Sequence, residues 1–326
     1  MGVRSRQSIA LFDESHGQPN WAQTGFPSRL MATNMAGVAG MLRRHGFQCE
    51  VQTHRALEPR FPEVRLVVIA PPAGEYDAER ELWRPSTTTL FLPDEICALR
   101  RFVDSGGRLL VFGYRFGDSF TRCNLGEVCA AFGCLLNDDG IIDLRRIRWL
   151  YPLSGDFATN ADSILTPWAA EGVQQLRWRC MASFTILPGV SAFPVVMSPG
   201  GHCLAYNLRH RQLNFQSQPI AVAGTHGHGR FAFFGGPHAF ETSPLGLFHE
   251  VDNQRLLENV LRWLDGDDDD RASNLQGNDQ AIAAWRWRKL CRIDGLGDSA
   301  QSLRSVEEVL HKSQTLRALP RWKWRG

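Results

Sequence analysis

Ile9-Ala10-Leu11-Phe12-Asp13-Glu14-Ser15-His16-Gly17-Gln18 is the stretch on which the reading of this chain turns. Four apolar residues in succession, without polar alternation, read as a strand buried on both faces, and strands of that kind belong to parallel sheets. The polar run that follows lies at the carboxyl end of the strand, where open α/β sheets hold their ligands. Asp13, Ser15, His16 and Gln18 are therefore candidate ligand contacts, and His16 is a candidate acid–base group. The same short polar residues also suit a turn that caps itself, so ligand contact and self-capping both stand as readings.

Outward from this strand the pattern alternates. Residues 27 to 45 predict a helix, with Leu30, Met31, Met35, Val38, Ala39 and Leu42 on one face and His45-Gly46 as its stop. A short strand over 48 to 53 follows, then a strand from Val64 to Ala70 ended by Pro71-Pro72. Residues 73 to 92 read as a polar loop. Pro93-Asp94-Glu95 opens a helix striped by Ile96, Leu99, Phe102 and Val103 and closed by Ser105-Gly106-Gly107. Arg108 to Phe112 is the next strand, and Asn124 is placed to cap a helix running to Phe132. Strands and helices alternating at this spacing predict a parallel sheet with right-handed crossovers.

From about 140 to 235 helical periodicity fades and short β-type runs take over, at Ser183 to Leu187, Phe193 to Met197, Pro219 to Ala223 and Arg230 to Phe234. A helix over 253 to 264 then carries Leu256, Leu257, Val260, Leu261 and Leu264. Residues 1–265 read as one α/β domain with a β-rich elaboration over about 140–235. Asp267 to Asp270 start an acidic linker over 266–277, since four like charges in succession repel and stay solvated. Residues 278–326 form a tail in which Trp285, Trp287, Trp322 and Trp324 alternate with basic residues.

Composition excludes some classes. A net charge of +2 over 326 residues gives no whole-chain case for binding nucleic acid or an anionic membrane. No apolar run reaches the ~18 residues a membrane span needs, and Met1 to Arg6 lead directly into a strand, so a cytoplasmic location is expected. The eight cysteines form no C-x-x-C pair and fall mostly in apolar segments, which reads as free thiols in a reducing compartment. No metal and no cofactor is expected. Thr225-His226-Gly227-His228-Gly229 reads as a glycine-rich hairpin turn in preference to a metal site, because spacing fixes no third ligand.

Gly113-Tyr114-Arg115-Phe116-Gly117 follows a strand and has the glycine frame of a nucleophile elbow, but its central residue is arginine, which is neither nucleophile nor base. At this point the chain resembles the class I glutamine amidotransferase-like superfamily, in particular the non-classical branch found in intraflagellar-transport and gliding-motility proteins. The residues that carry the resemblance are Leu11 to Gln18, Leu66-Val67-Val68-Ile69-Ala70-Pro71-Pro72, Phe102 to Leu110, Gly227-His228-Gly229-Arg230-Phe231, and Asp252-Asn253 with Asn259 to Leu264. The resemblance implies a flavodoxin-like parallel sheet with helices on both faces. It also implies that Arg115 stands where catalytic members carry a cysteine, and that Pro237-His238-Ala239-Phe240-Glu241 matches the histidine–glutamate segment with altered spacing.

Three functions are expected in order. The first is a non-catalytic binding module, a component of a multiprotein assembly, with Asp13, Ser15, His16, Gln18 and Arg115 contacting a small polar ligand or a protein partner. The second is a hydrolase or isomerase acting on a sugar or other small polar metabolite, with His16, His238 and Glu241 as catalytic candidates. The third is nucleic-acid binding through the tail.

Overall fold

The computed structural model describes residues 8–17, 35–55, 57–72, 75–77, 82–84, 89–144, 156–207, 210, 212–242 and 246–266. The first strand, β1 (Ile9–Asp13), leads to α1 (Ala36–Arg44), β2 (Gln48–Gln52) and β3 (Val64–Ile69). The expected start of the first helix, and also Gln18, the acidic linker and the tail, lie outside the described residues. Within the segment expected to be plain loop, β4 (Glu75–Asp77) and β5 (Leu82–Arg84) pair antiparallel. Tyr76 is in register with Trp83 there, and a count of polar residues passes over so short a pairing.

Next come α2 (Pro93–Asp104), β6 (Arg108–Phe112), α3 (Gly117–Thr121) and α4 (Leu125–Ala130). The β-rich half contains β7 (Cys134–Leu136), β8 (Asp139–Asp143), β9 (Phe157–Asn160), the one-turn α5 (Pro167–Ala170), β10 (Gln175–Trp178) and β11 (Phe184–Ile186). It ends with β12 (Ala192–Met197), β13 (Cys203–Asn207), β14 (Gln212–Asn214), β15 (Pro219–His226) and β16 (Gly229–Phe234), and α6 (Asn253–Asp265) closes the described chain.

Seven strands make the central sheet in the order β12-β15-β16-β6-β3-β1-β2. The five from β16 to β2 run parallel, β15 pairs antiparallel with β16, and β12 pairs antiparallel with β15 at the edge. Period-two alternation shows why the inner strands β1, β3, β6 and β16 carry runs of successive apolar residues. Ala10, Phe12, Leu66, Val68, Leu110, Phe112, Ala232 and Phe234 enter one core cluster, with α1 and α6 residues such as Val38, Leu42, Leu257 and Val260. Leu11, Val67, Ile69, Leu109, Val111, Phe231 and Phe233 enter the other, with Leu99 and Phe102 of α2 and Val128 of α4. Both faces of the sheet are therefore covered by helices.

The edge strand β12 carries Pro194 at a register shift, a device that keeps a sheet edge from pairing further. β7 pairs with β11, β9 with β10, and β14-β13-β8 form a third small sheet, all lying in the chain between β6 and β16. The hairpin joining β15 to β16 turns at Gly227-His228, as the glycine pattern predicts. Gly227 has φ +56, and a Cβ there would lie 2.2 Å from Asp104 Oδ1, so the hairpin abuts the end of α2 only with glycine at that position. No described helix is long and apolar enough to cross a membrane.

Candidate functional site

Asp13 ends β1 and organises the turn after it. Its Oδ1 accepts hydrogen bonds from Ser15 N (3.0 Å) and Ser15 Oγ (2.6 Å), and its Oδ2 faces His16 Nδ1 at 2.7 Å. The His16 ring stacks on Phe91 with centroids 3.8 Å apart, and its Nε2 lies 3.3 Å from Glu95 Oε2. Glu95 is held in turn by Arg55 Nη2 (2.9 Å) and by the Leu92 N–H (2.7 Å). Leucine at the N-cap of α2 has no side-chain acceptor, so the glutamate three residues on reaches back to the free backbone donor. Burial opposes the Glu95 carboxylate, yet Arg55, the Leu92 N–H and His16 together outweigh it and hold the carboxyl below its ordinary value.

Asn124, expected to cap α4 with its side chain, clamps Phe91 instead: its Oδ1 accepts the Phe91 N–H (2.8 Å) and its Nδ2 donates to the Phe91 carbonyl (3.0 Å). The ring that stacks on His16 is thus fixed by the turn after β1 on one side and the start of α4 on the other. Asp13, Ser15 and His16 are buried, the last completely, so these three side chains face one another and their neighbours.

A second cluster gathers at the ends of β6 and β16. The left-handed residue of the turn after β6 is Phe116 (φ 62), followed by Gly117 (φ 51), with Arg115 one position before. Arg115 is half-buried and lies 5.7 Å and 5.5 Å from the ring centroids of Phe116 and Phe120. Its backbone N–H donates to the Cys180 carbonyl at 3.0 Å. Past β16, His238 Nδ1 donates to Glu241 Oε2 at 2.6 Å, while Nε2 lies 3.4 Å from the Tyr114 hydroxyl. His238 and the Cys180 side chain act on one another electrostatically. Asn253, the first residue of α6, holds this arrangement in place: its amide Nδ2 faces the carbonyls of Arg177 (2.9 Å), Ala239 (3.2 Å) and Leu247 (3.0 Å).

No protein-family model and no curated protein matches this chain. Its fold recurs among solved structures. The mmIFT52 N-terminal domain is 20% identical, with 79% of this chain and 97% of that one covered and a TM-score of 0.57. The cytoplasmic protein STM1381 from Salmonella typhimurium LT2 is 16% identical over 79% of this chain and 99% of its own, with a TM-score of 0.48. At such identities the likeness is one of fold.

On that fold the two clusters occupy different places. The ends of β1 and β6 are separated by β3, a span of about 10 Å across two strand spacings. Asp13, Ser15 and His16 belong to the first cluster, and Arg115, His238 and Glu241 to the second. Cys180 and Tyr114 of the second cluster were not among the candidates read from the sequence, and nor were Glu95 and Arg55 of the first. A cysteine in the loop between β10 and β11 has no motif around it. Its histidine partner is distant in sequence, and only the fold joins them.

Charges in the second cluster reinforce one another. Burial works against the Cys180 thiolate, but His238 and the positive charges of Arg115 and Arg179 outweigh it and hold the thiol below its ordinary value of 9.0. Burial likewise works against the His238 imidazolium, yet the Glu241 charge, the bond to Glu241 and the Cys180 thiolate push it up to about 10 from 6.5. Tyr114 is driven upward, chiefly by burial and then by the Cys180 charge, and keeps its proton.

Above pH 9.0 the unfolded pair has lost its last proton while folded His238 keeps one to about pH 10, so stability falls as pH rises through that window. The gap in melting temperature between wild type and Cys180→Ser is expected to shrink as pH rises from 9.0 to about 10. A gap that widens over that window would contradict the ion pair.

A separate group has metal-ligand chemistry. Asp143 at the end of β8, His202 and Cys203 at the start of β13 bring one ligand atom each within 4.8 Å of one another. A carboxylate, an imidazole and a thiol form a donor set suited to zinc.

Proposed function

We propose that this chain is an amidotransferase-like binding module that works as a component of a multiprotein assembly. The observation that carries the proposal is Arg115. At the turn after β6, where the resemblance puts a nucleophilic cysteine, stands a guanidinium flanked by two phenylalanine rings. Such a group binds anions and carboxylates through a rigid fork of donors, and it cannot attack a carbonyl. Likeness of fold to the mmIFT52 N-terminal domain supports the assembly class. We read the parallel run from β2 to β16 as the flavodoxin-like half of the module.

Within this proposal Asp13, Ser15 and His16 hold the turn after β1 rigid from inside, and Arg115 supplies a fixed positive charge at the binding edge. Its occupant is an acidic segment of a protein partner or a small polar anion. The burial of the His16 ring, wedged between Asp13 and Glu95, argues against the alternative in which His16 serves a hydrolase or isomerase as acid–base group. Nucleic-acid binding would fall to the tail.

The test is purification of the full chain from its native source. A stoichiometric partner that is retained with wild type and lost with Arg115→Gln, in a variant whose circular dichroism is unchanged, is the expected result. A wild-type chain that elutes alone as a monomer, or a partner indifferent to Arg115→Gln, would overturn the proposal.

A further inference from the structure

We propose that Cys180, His238 and Glu241 form a nucleophilic centre that accepts a small activated acyl group, from a thioester or an ester, onto Cys180 Sγ. This centre lies in the segment between β10 and β11 and not in the turn after β6, and it stands independently of the assembly role.

The backbone is the first observation. Cys180 has φ +55, the left-handed region that residues with a Cβ seldom enter. Several bonds hold it there: Arg115 N–H to the Cys180 carbonyl (3.0 Å), Ile141 N–H to the Met181 carbonyl (2.9 Å) and Ala182 N–H to the Gly235 carbonyl (2.9 Å). Gly235 and Gly236, just past β16, leave the space this segment fills, since a Cβ on Gly236 would lie 2.6 Å from the Cys180 carbonyl oxygen. A strained residue so firmly fixed presents its side chain in one direction.

The second observation is the relay. Glu241 Oε2 accepts from His238 Nδ1 at 2.6 Å, which fixes the ring and its tautomer; Gly236, two residues before His238, packs against the Cys180 carbonyl, and the imidazole acts electrostatically on the Cys180 thiol. The groups that surround the thiol come from three elements. Arg115 and Tyr114 follow β6; Arg179 follows β10 and is itself paired with Asp156 at 2.6 and 2.7 Å; His238 and Glu241 follow β16. The cations favour the thiolate, and Tyr114, protonated, is the hydroxyl beside the pair, a donor suited to an oxyanion.

The chemistry balances without an external oxidant or metal. Cys180 Sγ adds to the acyl carbon, forming a C–S bond and moving the carbonyl electron pair onto oxygen. The oxyanion then collapses, the bond to the leaving thiolate or alkoxide breaks, and His238 gives that group its proton. Water next loses a proton to neutral His238 and adds to the thioester; its collapse releases the carboxylic acid and returns the thiolate beside imidazolium. Two features select the substrate class. An imidazolium held up by its carboxylate and thiolate partners parts with a proton reluctantly, which favours weakly basic leaving groups over amines. Cys180 is 6% exposed and His238 4%, so the acyl group must be small, of the size of acetyl.

The test uses the full chain with p-nitrophenyl acetate and a simple acetyl thioester, quenched and mapped by peptide mass spectrometry. The expected result is acetyl on Cys180, formed about tenfold or more faster than on the exposed Cys97, with a burst of one p-nitrophenolate per chain that Cys180→Ser abolishes and Glu241→Gln slows. Should those variants fail to fold, wild type carries the test alone. Iodoacetamide alkylation of Cys180 should gain clearly less between pH 6 and pH 8 than the roughly hundredfold that a thiol of ordinary pKa gains over that range. Acetylation of Cys180 no faster than Cys97, its absence in folded wild type, or ordinary pH dependence of alkylation each overturns the proposal.

Discussion

Asp13→Ala is expected to cost the folded chain on the order of 3 kcal/mol or more, read as a lowered urea midpoint with an unchanged slope. The carboxylate satisfies three donors, the Ser15 N–H, the Ser15 hydroxyl and His16 Nδ1–H, in a site that water does not reach. Removing it takes a buried charged acceptor from all three, at roughly 1–3 kcal/mol each before Ser15 Oγ and His16 Nδ1, 3.0 Å apart, turn to one another. Asp13→Asn keeps one acceptor oxygen and turns an amide against either the serine or the imidazole, so its loss should be about half as large. A loss below ~1 kcal/mol for the alanine variant would mean that the turn is held by the Phe91 stack and Glu95 alone.

Gly235→Ala is the second large effect. Its Cβ would lie 1.9 Å from the Ala182 carbonyl oxygen, which is backbone and pinned by the Ala182 N–H bond to Gly235 itself. Neither side can swing away, so β16 and the segment 180–182 must separate. The expected cost is about 3 kcal/mol, at the upper end for overpacking. The displacement carries Cys180 away from His238, and the thiol should then alkylate with ordinary pH dependence even in the fraction that folds. Gly40→Ala is the matching control: it lies in α1 with nothing within 4 Å of the added Cβ, and it should gain about 0.5–1 kcal/mol. Equal behaviour of the two variants would refute the steric argument.

The parallel part of the fold was legible because its signals are local. Ile9 to Phe12, Leu66 to Ile69 and Leu109 to Phe112 are apolar without alternation, and a strand buried on both faces has to be. The glycines at 227 and 229 marked a hairpin that forms where they stand. The half between β6 and β16 was read only in outline. Its strands are three to eight residues long, and pairings such as β8 with β13 join segments about sixty residues apart, which periodicity within a window cannot register.

The candidate site divided in the same way. Asp13, Ser15 and His16 are neighbours in sequence and in space. His238 and Glu241 were found through the family resemblance of the segment 237–241. Cys180 was not, because what distinguishes it is a backbone angle and a histidine nearly sixty residues further on, past the end of β16. Arg115 was placed at the centre of a glycine-framed turn, and the structure moves the left-handed position to Phe116, since Gly117 opens α3 and draws the bend one residue along.

β6 and β16 lie side by side although nearly the whole β-rich half separates them in the chain. During synthesis the groups around Cys180 emerge in sequence: Arg115 first, the cysteine next, and His238 with Glu241 last. Until β16 docks on β6 the thiol has no imidazole beside it and keeps the chemistry of any cysteine in an unfolded chain. Closing so long a connection is slow, because few contacts reward it before it is complete. The ion pair is therefore a timer as well as a centre: it arms only when the last strand of the sheet has been laid down, and a chain truncated before residue 238 leaves the ribosome unarmed.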